Sequence, residues 1–203
     1  DEHTHLGICI MMIHEGIPGH HLQFASAARQ PSLIRQIFDA NEHAEGWTTM
    51  LEDYMLDAGC VDADIADEVR FITKRDISRL VARVGIDLYF MTGDAHYLNV
   101  GLDLDFDAED PFENAARLLK AATGFTDGRV QAELNWYSKE QCYPLSYLTG
   151  NRMVWELKSD LVAANPRQLS TEELDREFHR IYLQSGCMPV ASLREVFQHE
   201  GML

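Results

Sequence analysis

Positive charge is scarce in this chain. Its 203 residues carry 17 Lys and Arg against 33 Asp and Glu, a formal net charge of −16. Binding by phosphate neutralisation needs a cationic face, so no nucleic-acid partner is expected, and an anionic membrane surface is disfavoured for the same reason. Long apolar runs are missing too. The longest, Ile8 to Ile13, falls far short of the roughly 18–20 residues that span a bilayer, so no membrane span is expected. Cysteine is sparse and scattered. Cys9, Cys60, Cys142 and Cys187 form no CxxC pair, which argues against a cysteine-rich zinc site and leaves buried free thiols as the expectation. No signal peptide is visible in the opening Asp1-Glu2-His3-Thr4-His5, and there is no initiator Met. The chain is therefore expected to be processed or to be one piece of something longer, and its opening leaves the localisation unknown.

What is present reads as helix. A hydrophobic share of 46% with 25% charged residues is ordinary for a packed chain. Segment 1–29 is apolar but interrupted by Gly16, Pro18 and Gly19, and a short segment runs from Ser32 to Asp39. Trp47, Met50, Leu51, Tyr54 and Met55 recur at helical spacing over Glu42–Ala58, with Gly59 as the stop. Asp64–Tyr89 carries a long apolar stripe, Pro111–Thr123 ends at Gly124, and Asp127–Lys139 follows. An apolar helix is expected over Leu145–Ala163. Ser170 with Glu173 forms a capping box for a helix to Gln184, and Ala191–His199 closes the chain. The acidic stretch Leu102–Phe112 departs from a calcium loop, with Ala108 where Gly is needed and Asn114 where Glu is needed, and reads as a solvated loop. No strand pattern, repeat or domain boundary stands out. The expected fold is mainly α, a single helical domain over 1–203, truncated at its N-terminus.

The chemistry concentrates in His14-Glu15-Gly16-Ile17-Pro18-Gly19-His20-His21-Leu22-Gln23. An HExxH zinc site needs histidines four apart on one helix face, and position 18 here is Pro. On a regular helix His20 would be about 9 Å up the axis and roughly 240° round from His14, on the wrong face. His21 would face correctly but about 10.5 Å away, too far for two bonds of ~2.0–2.1 Å to one metal. A bulged helix removes the conflict. Pro18 cannot bond the His14 carbonyl, and Gly16 and Gly19 accept irregular dihedrals. Glu45, 25 residues after His20, opens the next strong helix and supplies a third ligand, leaving the fourth zinc position for water. Glu15 then stands beside the metal as general base. Glu52, seven residues after Glu45 on the same face, could hold a ligand histidine from behind.

The run HEGIPGHHLQ, followed by AEGW, resembles the helical metallopeptidase-like family known as domain of unknown function 885 (DUF885), whose signature reads HExxPGHHLQ and then EGW. Pro144 to Tyr147 with Gly150, Phe178-His179, and Gly186 with Pro189 and Leu193 are similar to that family's C-terminal part. Where the family often shows Gly-Leu-His, this chain has Gly85-Ile86-Asp87. The family is in turn similar to gluzincins of the thimet-oligopeptidase and angiotensin-converting-enzyme types. Two residues inserted after the Glu of their HExGHxL run align it with this one. The resemblance implies the C-terminal part of a larger zincin-like helical peptidase, with half of the substrate cleft outside the chain. It gives the ligand role to His20 rather than His21, makes Tyr147 the oxyanion stabiliser, and sets His179 as a substrate contact against an ordinary surface or core role.

The expected function is zinc-dependent hydrolysis of a peptide or small amide substrate, with zinc on His14, His20 and Glu45. The alternative is a helical metal-binding or interaction fragment without turnover. Trp47 is expected to pack, and His3 and His5 to be disordered or solvated. Ile8–Ile13 is apolar all round, so an exposed apolar patch, an N-terminal portion outside the chain or a homo-oligomer is expected to go with it.

Overall fold

The structure is a computed structural model that describes residues 4–203; His3 lies outside them. Among the described residues the regular structure is helical, with no strand. Contacts within the chain gather into two compact units. One comprises residues up to Val69 together with Thr149–Leu203, and the other Arg70–Leu148.

The first unit opens with α1 (His5–Glu15), α2 (His20–Ala27), α3 (Leu33–Ile37) and α4 (Asn41–Asp57). The Ser32–Asp39 expectation shrinks to the five residues of α3, because Phe38 already has extended backbone. α1 packs on α4 and on α2. The unit is completed by most of α8 (Ser146–Ala164), by α9 (Thr171–Gln184) and by α10 (Val190–His199). Its core joins Trp47, Met50 and Leu51 of α4 to Val154, Leu157 and Leu161 of α8, and to Phe178, Leu193 and Phe197 beyond. Each such side chain contributes roughly 1.5–3 kcal/mol on full burial. The α9 start is set as its sequence indicates: Ser170 Oγ accepts from the Glu173 N–H, and Glu173 accepts from the Ser170 N–H at 2.9 Å.

Two glycines let α4 and α8 touch backbone to backbone. A Cβ on Gly46 would lie 2.6 Å from the Gly150 carbonyl oxygen, and one on Gly150 would lie 2.2 Å from that of Glu42. No larger residue fits either place without moving a helix, and Gly46 is the neighbour of Glu45. The apolar α1 surface is open as expected: Ile8, Met11 and Met12 are each more than half exposed, and Ile10 turns inward.

The second unit holds most of α5 (Ala66–Thr92), a 3-10 turn at Ala95–Leu98, α6 (Pro111–Thr123) and α7 (Asp127–Tyr137). Asp110 caps α6 with Pro111 in its first turn, and Gly124 closes it at φ +69°. Ile86, Leu98, Leu118, Leu119 and Leu134 are core residues here. The acidic loop is strapped by Asn114, whose side chain accepts from the Ala108 N–H at 3.1 Å and donates to the Ala108 carbonyl at 2.9 Å. Asp87, at the family's His position, is fully buried and accepts from the backbone N–H groups of Cys142 and Leu145 at 3.2 Å each. Burial raises its carboxyl pKa against those two bonds, and its place is structural.

All four cysteines are free, but burial holds only for Cys187; Cys9 is half-buried, and Cys60 and Cys142 are exposed. No described helix is long and apolar enough to cross a membrane.

Candidate metal centre

The interruption between His14 and His20 is a full break rather than a bulge. α1 ends at Glu15 and α2 starts at His20, with Gly16–Gly19 turning the chain between them. The Ile17–Pro18 peptide is cis. Gly19 packs against the end of α1 so closely that a Cβ would lie 1.9 Å from the His14 carbonyl oxygen and 2.2 Å from that of Ile13. Only glycine lets the two helix ends meet this way, and that meeting brings the imidazoles together, their ring centroids 5.0 Å apart and nearly perpendicular. The turn is fastened to α4 by the Trp47 Nε1–H, which donates to the Pro18 carbonyl at 3.0 Å. Trp47 is 1% exposed and packs, as expected.

α4 brings Glu45 to the pair. Nitrogen and oxygen atoms of His14, His20 and Glu45 all lie within 4.8 Å of one another. Nε2 of each histidine is 3.5 Å from Glu45 Oε2. A tetrahedral site with bonds of ~2.0–2.1 Å has donor–donor edges of roughly 3.3–3.4 Å, so the two histidine–carboxylate edges are close to those of one metal ion. Two imidazoles and a carboxylate suit a borderline cation and leave a position open.

The outer partners fix the rings. His14 Nδ1 is 2.7 Å from Glu52 Oε1, the contact that the seven-residue spacing suggested. His20 Nδ1 is 3.1 Å from Gln23 Oε1. Gln23 also reaches His43, whose ring stacks on Tyr182 at 4.2 Å. His14 is mostly buried. That burial disfavours its charged form, but Glu45 and Glu52 outweigh it and push the pKa up to about 9. A cation in the cluster would relieve the same excess of negative charge. Burial pushes His43 the other way, down to about 3.

The remaining expected residues are dispersed. Glu15, the last residue of α1, is exposed next to His14. His21 is exposed and outside the donor group, and His5 is exposed at the start of α1. His179 is also outside that group. It packs among Tyr54, Phe178 and Trp47, with ring centroids at 4.9, 5.3 and 5.7 Å. Burial, aided by the Lys158 charge and opposed by Asp175, pushes it down to about 4. Its Nε2 is buried without a hydrogen bond among the described residues. Tyr147 belongs to the second unit, where the Arg83 guanidinium lies 4.6 Å over its ring and Tyr143 and Trp136 flank it. Arg83 is held there by Glu133 at 3.0 Å and by the Tyr137 hydroxyl at 2.9 Å.

Sequence reasoning did not assign Gln23 or His43. Gln23 had a signal, one turn after His20 in the same motif. His43 had none, because its partner Tyr182 is 139 residues away.

Residues 1–197 match the family described as "Bacterial protein of unknown function (DUF885)". Among the solved structures that share the fold are two described as lipoproteins. One is described as "putative lipoprotein from Colwellia psychrerythraea", with 25% identity and a TM-score of 0.75 over 97% of this chain and 30% of that one. The other, a "putative lipoprotein of unknown function from Shewanella oneidensis", is 19% identical with a TM-score of 0.74 over 96% of this chain and 32% of that one. The chain thus spans about a third of either. No curated protein matches it.

Proposed function

The chain belongs to the DUF885 family of bacterial proteins of unknown function, and we propose that it carries the metal centre of a zinc-dependent hydrolase acting on peptide or small amide bonds. The observation that carries the reading is the convergence of His14 Nε2, His20 Nε2 and a Glu45 oxygen, with a carboxylate, Glu15, adjacent in sequence to the first. The donor set is the two-histidine, one-carboxylate type of hydrolytic zinc sites.

Held by His14, His20 and Glu45, zinc would supply Lewis acidity for a scissile carbonyl and for a water. The chain's own groups do the rest. Glu15 takes a proton from the attacking water as its oxygen bonds to the carbonyl carbon, and returns it to the amine nitrogen as the C–N bond breaks. Glu52 holds the His14 ring by its Nδ1–H and keeps Nε2 directed at Glu45. The resemblance to the helical peptidases assigns the oxyanion hydrogen bond to Tyr147 and a substrate contact to His179.

The test is turnover of a peptide library by the zinc-loaded protein and by Glu15→Gln. Hydrolysis that disappears in the variant while zinc is retained supports the reading. Zinc binding with no turnover in either form favours the rival, a metal-binding or interaction fragment, and loss of zinc in Glu15→Gln removes Glu15 from the base role.

A further inference from the structure

Gln23 is 2% exposed and touches two histidines at once. Its Oε1 is 3.1 Å from His20 Nδ1, and its Nε2 is 3.2 Å from His43 Nδ1 and 3.3 Å from the His43 carbonyl oxygen. The two ends of an amide have the same shape, so its orientation must come from the chemistry of its partners. A backbone carbonyl only accepts, so the amide atom facing the His43 oxygen is the nitrogen. That carbonyl is anchored: the Tyr182 hydroxyl donates to it at 2.7 Å, and the Tyr182 ring stacks on the His43 ring. With the nitrogen turned to His43, the oxygen faces His20. An acceptor there requires the hydrogen on His20 Nδ1, which leaves the lone pair on Nε2, the atom 3.5 Å from Glu45 Oε2.

We infer that Gln23 is a positioning residue that locks His20 in the Nδ1–H tautomer, with the His43 carbonyl and the Tyr182 hydroxyl as the anchor that keeps the amide from flipping. The purpose of the lock rests on the metal-centre reading, because only Nε2 faces the other donors; the lock itself is a property of the metal-free chain. It also accounts for the chemical difference between the outer partners. His14 is oriented by a carboxylate and His20 by a neutral amide. Among the described residues, Glu45 and Glu52 already bring carboxylate oxygens to His14. A third carboxylate at position 23 would face the His43 carbonyl with no hydrogen to offer it.

The test reads the tautomer directly. In the uniformly nitrogen-labelled, chelator-treated full chain at mildly alkaline pH, long-range proton–nitrogen correlation of the histidine rings should show His20 protonated at Nδ1. In Gln23→Leu the hydrogen should move to Nε2, the ordinary preference of a free imidazole, and zinc affinity by chelator competition should fall about 10–100-fold. Gln23→Glu should weaken zinc similarly instead of rescuing it. A wild type with His20 already protonated at Nε2 overturns the inference whatever the variants do. An unchanged tautomer or unchanged zinc affinity in folded Gln23→Leu overturns it as well. If the wild type takes up no zinc, the metal-centre reading fails, and the tautomer of the metal-free protein still decides the lock.

Discussion

Gly19→Ala is the sharpest perturbation of the metal centre that touches none of its ligands. The added methyl would lie 1.9 Å from the His14 carbonyl oxygen, where ordinary contact begins at 3.4 Å. The backbone must therefore yield by roughly 1.5 Å, since a carbonyl oxygen at a helix end cannot be compressed. His20 is the next residue, so its imidazole moves with the start of α2. Metal sites tolerate about 0.2 Å in ligand distance, so the shift is several times too large. We expect zinc affinity to fall at least about 100-fold, which is roughly 2.7 kcal/mol, with about 1–3 kcal/mol of stability lost to overpacking. The assay is zinc competition against a chromophoric chelator, with a denaturant melt alongside. Gly128→Ala is the control: its Cβ would meet nothing within 4 Å, and replacing a helical glycine on α7 should stabilise by about 0.5–1 kcal/mol without changing zinc affinity. Gly19→Ala binding zinc as tightly as wild type would refute the argument that this close approach builds the site.

Glu52→Ala removes the 2.7 Å contact to His14 Nδ1 and should weaken zinc about 10–100-fold by the same competition assay. His21→Ala should leave zinc affinity unchanged, and a large loss would return the ligand role to His21. His179 has a folded pKa of about 4 against an ordinary 6.5. Below the ordinary value the unfolded chain takes up a proton that the folded chain refuses, so the contribution is complete above about pH 6.5 and is lost as pH falls toward 4. The loss reaches about 3 kcal/mol at most, so in denaturant melts wild type should lose up to that much more stability between about pH 6.5 and 4 than His179→Leu, which has nothing to titrate there. Trp47→Phe leaves the Pro18 carbonyl without its indole partner and should cost about 1 kcal/mol in a melt, together with a measurable loss of zinc affinity.

Much of this was legible because it is local. The capping box at Ser170, the Asp110-Pro111 start of α6 and the Gly124 stop are short-range devices, and each lies where its residues indicate. The break between α1 and α2 was legible in kind, since Pro18 cannot continue the first helix, but its size was not. The close approach of Gly19 to the α1 carbonyls depends on how two helix ends dock. Glu52 could be found from its spacing to Glu45 alone. Gln23 lay in the motif, but its meaning comes from His43 and Tyr182, and no local pattern links residues 139 apart. The Gly46–Gly150 contact is equally long-range, and either glycine read alone is only a weak helix residue. The two units left no mark in composition because α5 and α8 each run unbroken from one into the other. The burial expected of the cysteines failed for Cys60 and Cys142, which lie on the exposed surface between helices.

The most direct test is anomalous diffraction at the zinc edge from zinc-loaded crystals of the chain. The account predicts a single strong peak about 2.0–2.2 Å from His14 Nε2, His20 Nε2 and a Glu45 carboxylate oxygen, with Glu15 outside bonding distance. A peak bound through His21, a peak bound directly by Glu15, or no peak among these three side chains would contradict it.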